Sequence, residues 1–115
     1  MKRLSSLTYK TIELNHGTLT YAVDINIENT QKVVDITQNE TCGEVYIIEY
    51  SGHDTLVTIP EQIEGYPVVA VGKKAFLSNK SIKEVMLPKT ISEIGDFCFA
   101  RCTGLKKVGL PYKAF

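Results

Sequence analysis

The chain has 115 residues and a mass of 12.8 kDa, enough for one domain or one domain with a small appendage. It is 43% hydrophobic and 23% charged, which argues against disorder, and its thirteen basic residues balance thirteen acidic ones. That neutral total lacks the cationic surplus of a protein that neutralises phosphates, so no nucleic-acid partner is expected.

Met1 to Lys10 opens on two positive charges, with Leu4 and Leu7 isolated among hydroxyls and charges behind them. Neither a signal peptide nor a membrane span is predicted there, and no membrane insertion is expected. Residues 1–42 read as an N-terminal β region that caps the rest of the chain. Tyr9 to Leu14, the turn Asn15-His16-Gly17 and the alternation Leu19, Tyr21, Val23, Ile25, Ile27 make a β-hairpin. Gly17 is expected to supply a positive φ in its turn. A short apolar run, Val33-Val34-Asp35-Ile36, comes next between polar connectors. Glu44 to Tyr50 is the next strand, apolar on both faces and so expected between two layers. Tyr46, Ile48 and Val23 are the residues expected to cover the first unit beyond the cap.

The second half changes character. Short β-rich pieces recur at Leu56 to Pro60, Val68 to Val71, Ile82 to Pro88 and Leu105 to Pro111. Between them, residues 73–79 and 96–102 are too short for independent helices, and each is expected to form one turn of α or 3₁₀. No segment holds a 3.6-residue period. The fold is mostly β.

A shift of 23 residues superimposes one stretch on another. Val71-Gly72 falls on Ile94-Gly95, Ala75-Phe76 on Cys98-Phe99, and Asn79 on Cys102. Ile82 then meets Leu105, Val85 meets Val108, and Leu87-Pro88 meets Leu110-Pro111. Such a period suits a solenoid, in which the apolar residues of Leu-x-x-Val-x-Leu point inward and each strand bonds to the next in a parallel ladder. Pro88 and Pro111 lack an N–H and end their strands. Gly72 and Gly95 suit a tight bend, and Phe76 and Phe99 plug the far side of each coil.

The run from Val71-Gly72-x-x-Ala75-Phe76 through Ile82-x-x-Val85-x-Leu87-Pro88 and Ile94-Gly95-x-x-Cys98-Phe99 to Leu110-Pro111 resembles the BspA-type (Treponema pallidum-type) leucine-rich repeat. Val57-Thr58-Ile59-Pro60, with Ile63-x-Gly65-Tyr66-Pro67-Val68, is similar to the irregular coil that opens such arrays. The resemblance covers residues 43–115, about two and a half coils. It implies a short leucine-rich-repeat solenoid with short helical or 3₁₀ turns, capped by the N-terminal β-hairpin region. It also implies a non-catalytic protein-interaction or adhesion-type module. A complete chain would be cytoplasmic, and a piece of a longer family member would be at the cell surface or secreted.

Residue chemistry agrees with a non-enzyme. Three cysteines, Cys42, Cys98 and Cys102, cannot all pair within one chain and read as reduced thiols. Cys98 and Cys102 occupy the repeat positions of Ala75 and Asn79, so core packing accounts for both, and no metal or other cofactor is expected. His16 and His53 lie in turns beside glycine, and Glu61, Glu64, Glu84, Glu93 and Asp96 occur singly, so neither a triad nor a carboxylate pair can be drawn. The candidate partner-binding residues are the outward strand positions Lys83, Glu84, Met86, Lys106 and Lys107, joined by Leu110 at the last coil. A protein partner is expected there, with self-association through the C-terminal coil. The competing expectation is an enzymatic or small-ligand activity in residues 1–42, with the repeats as scaffold. Its mark would be a pocket joining Tyr9, Tyr21 or His16 to clustered carboxylates.

Overall fold

Alternating polarity folds Thr8–Glu13 (β1) and Gly17–Ile25 (β2) into an antiparallel hairpin, with Lys10 opposite Tyr21 and Ile12 opposite Leu19. β2 pairs along its whole length with Gly43–Gly52 (β3). The computed structural model describes residues 8–25 and 43–109. Ile27, the run 33–36, Cys42, Leu110 and Pro111 lie outside them, with the expectations that fall there.

From β3 onward the chain coils. Its remaining strands are Leu56–Thr58 (β4), Gln62–Ile63 (β5), Tyr66–Val71 (β6), Glu84–Met86 (β7), Glu93–Ile94 (β8) and Lys107–Gly109 (β9). β3, β6 and β8 stack as a parallel ladder that continues the hairpin, and β4, β7 and β9 form a second parallel ladder. β5 turns back on β6 through Glu64 and Gly65, both with positive φ, as a tight two-residue hairpin requires.

Each coil adds one residue to every core column. Ile47, Val71 and Ile94 align in the first ladder, and Val57, Val85 and Val108 in the second. On the third side, the rings of Tyr50, Phe76 and Phe99 stack with centroids 5.5 and 5.3 Å apart. The described residues form three stacked coils of a solenoid, with the hairpin as the N-terminal cap.

Three local expectations change. The cap packs Val45, Ile47 and Tyr50 inward, whereas Tyr46 and Ile48 lie half-buried on the outer face of the same sheet. The cause is a β-bulge. Thr20 opposes Glu49 and Tyr21 opposes Ile47, so Ile48 is the extra residue and the inward parity switches after it. Segments 73–79 and 96–102 are successive β-turns and not helix. Lys74, Phe76 and Ser78 donate N–H bonds to the carbonyls of Asp96, Cys98 and Ala100 in the next coil. Lys74, Ser78, Phe97 and Arg101 take left-handed φ values between 59° and 61°, which aims every second N–H sideways. Finally, neither Gly17 nor Gly95 uses positive φ. A Cβ on Gly17 would strike the Tyr50 ring, and one on Gly95 would lie 2.7 Å from the Gly72 carbonyl carbon. Close approach, not a left-handed bend, demands glycine at both.

Candidate interaction surface

The β4–β7–β9 ladder is built on paired backbone contacts that repeat from coil to coil. The Thr55 carbonyl accepts the N–H groups of Lys83 and Glu84, and the Lys83 carbonyl accepts those of Lys106 and Lys107. Lys83 and Lys106 therefore stand in one exposed column. Strand alternation then sets the rows. Val57, Val85 and Val108 face inward, while Leu56, Glu84 and Lys107 form one outward row and Thr58, Met86 and Gly109 another.

Side chains fill that face unevenly. The Lys107 ammonium lies 3.6 Å from a Glu84 carboxylate oxygen, in an exposed pair of small energetic worth. Met86 lies across Gly109, where a Cβ would come within 2.7 Å of its Cε. Leu56 is 51% exposed and extends the face by one coil. Among the expected site residues, Lys83, Glu84, Met86, Lys106 and Lys107 thus share one surface, and Leu110 lies outside the described residues. Leu56 escaped the sequence reading because Val57 precedes Val85 by 28 residues, not 23. The β5–β6 hairpin occupies the longer first coil.

The repeat-register residues are structural. Asn79 donates to the Gly52 carbonyl at 3.0 Å and accepts from the N–H groups of Ser81 and Ile82. Cys102, in the same register, donates its thiol to the Phe76 carbonyl at 3.0 Å. Burial pushes the Cys98 thiol up to about 11.

The residues of the competing expectation point apart. Tyr9 pairs with Ala22 on the outer face of the sheet, and Tyr21 pairs with Lys10 on the inner one. The Tyr21 hydroxyl and the Lys10 ammonium both donate to the same Glu64 oxygen, at 2.8 and 2.9 Å, and hold that carboxyl below its ordinary range. His16 engages Asp54 through its backbone N–H. Among the described residues no group of three His, Cys, Asp or Glu is placed to hold a metal, and no helix is long and apolar enough to cross a membrane.

Stacked coils with inward apolar columns and an outward parallel ladder define a leucine-rich-repeat solenoid. Residues 69–114 match the family described as the BspA type leucine rich repeat region of six copies. Over that stretch the chain resembles repeats of the BspA type. It is similar to the T. pallidum leucine-rich repeat protein, at 40% identity and a TM-score of 0.57 over 59% of this chain and 32% of that one. A leucine-rich cell surface protein of Faecalibacterium prausnitzii aligns over 91% of this chain and 24% of its own, at 24% identity and a TM-score of 0.59. A leucine-rich repeat protein of Bacteroides capillosus aligns over 87% and 64%, at 23% identity and a TM-score of 0.58. The last two likenesses speak to the fold alone. In every case this chain spans less than two thirds of the solved relative. No curated protein matches it significantly.

Proposed function

We propose that the chain is a non-catalytic protein-interaction module that docks a partner on the outward face of β4, β7 and β9. The observation that carries this reading is the register that sets Lys83, Lys106, Glu84, Lys107, Met86 and Leu56 on one face of a rigid ladder. Parallel ladders in solenoids offer such extended faces at no ordering cost. The narrower idea of self-association through the last coil draws on Ile94 and Val108. Both occupy inward columns yet are 45% and 39% exposed among the described residues.

The test is capture on a protein array by the parent chain and by a Met86→Asp, Lys106→Glu variant that keeps the parent's circular dichroism. The variant is expected to lose the parent's targets. Equal capture of the same proteins would move the docking surface elsewhere.

A further inference from the structure

Among the described residues, the outer face of the first sheet carries charge of one sign. Registered pairing places Asp24 beside Glu44 in one row and Tyr9, Ala22, Tyr46, Ala70 and Glu93 in the next. Beyond them lie Thr11, Thr20 and Glu49, then Glu13, Thr18 and Ser51. Five carboxylates share these rows with no Lys or Arg, because Lys10 points to the opposite face and is held by Glu64. Asp24 and Glu44 are directly opposed across the strands, an arrangement that costs stability. Tyr46 feels the same field: its phenol, already pushed up by burial, donates to Glu44 at 3.0 Å and is raised further by Asp24 and Glu93.

The β4–β7–β9 face carries the complement. Lys83 and Lys106 are stacked like charges, and neither forms an ion pair with another described residue. Among the described residues, two clusters of opposite sign therefore sit on separate ladders of one neutral molecule, with no ion pair between them.

We propose that the occupant of the carboxylate face is a second copy of this chain, which presents its Lys83–Lys106 column to Asp24 and Glu44. Donor and acceptor patches lie on separate ladders, so the contact is either reciprocated within a closed two-fold pair or propagates head-to-tail. This deepens the docking reading of the β4–β7–β9 face and rests on it. Reversal of Asp24 and Glu44 leaves that face untouched, so the two ideas fail separately.

Sedimentation equilibrium of the full chain at about 20 mM ionic strength, where the Debye length is roughly 20 Å, tests it. The weight-average mass is expected to rise with concentration to about twice the monomer value or beyond. At about 0.5 M salt, with screening within roughly 4 Å, the rise is expected to vanish. Lys83→Glu with Lys106→Glu abolishes it, as does Asp24→Lys with Glu44→Lys, and the equimolar mixture of the two variants recovers it. Should a reversed variant fail to fold, the neutral pair Asp24→Asn, Glu44→Gln is expected to weaken association about tenfold. A monomer at low salt overturns the proposal. So does growth that survives high salt and answers instead to Ile94→Asp, or growth indifferent to the change at Asp24 and Glu44.

Discussion

Asp54 is the one charged side chain buried among the described residues, and each of its oxygens has a donor. The Tyr50 hydroxyl donates at 2.7 Å and the His16 N–H at 2.8 Å, so one carboxylate ties the cap's turn to the first coil. Asp54→Ala strands both donors and is expected to cost roughly 2–3 kcal/mol in urea unfolding. Tyr50 is pushed up to about 12 by burial and by its bond to Asp54. The folded state thus keeps a proton that the unfolded chain releases near 10. The stability this provides is whole below that value and is lost as pH climbs towards 12. Tyrosinate absorbance and circular dichroism should therefore change together in that window, and Tyr50→Phe should remove this residue's share. Cys98 was legible from the repeat alone, because its counterpart is Ala75. Cys98→Ala is accordingly expected to cost only about 1 kcal/mol. In the parent chain, alkylation of Cys98 at about pH 8 should be limited by unfolding, since its buried thiol ionises far above that pH.

Elements were legible where a side-chain period sets them and illegible where a neighbour does. Leu-x-x-Val-x-Leu predicts β7 and β9 because inward packing alone dictates the spacing. The turn segments looked like single helical turns because nothing local to residues 73–79 shows that their N–H groups serve the next coil. The bulge at Ile48 likewise answers to β2, a strand more than twenty residues away. The Glu64–Gly65 turn shows a similar long reach. Its carboxylate brackets Tyr21 and Lys10 of the cap, and those two donors lower its pKa. A depressed carboxyl adds stability above its ordinary value, and that contribution drains as pH falls through the folded one. Glu64→Gln should therefore lower stability at neutral pH and flatten the acid limb of the stability profile, measured by urea titrations from neutrality to about pH 3. An unchanged limb would show that the bracket adds nothing to docking of the cap.

At the scale of the molecule, the capped repeat architecture was readable, but the charge pattern was not. A total of zero conceals a carboxylate sheet face and a lysine column, because both arise from strand register and not from local composition. Register also sets how stability is distributed. In a solenoid each coil is stabilised by its neighbours, so protection should follow how completely the inward residues of each coil are covered. Exposure along the inward columns runs from 0% at Ile47 and 1% at Val71 to 45% at Ile94, and from 1% at Val57 and 0% at Val85 to 39% at Val108. Amide exchange of the monomer, held in salt high enough to suppress any charge-driven association, should therefore be slowest in β2, β3 and β6. The bonds from Gly95 to Val71 and from Leu87 to Gly109 should open earlier. Ile94→Ala should cost well under the roughly 2–5 kcal/mol typical of a buried aliphatic truncation, whereas Ile47→Ala should cost that full amount. Equal exchange across the coils, or equal costs at the two isoleucines, would mean that the last described coil is covered as thoroughly as the first.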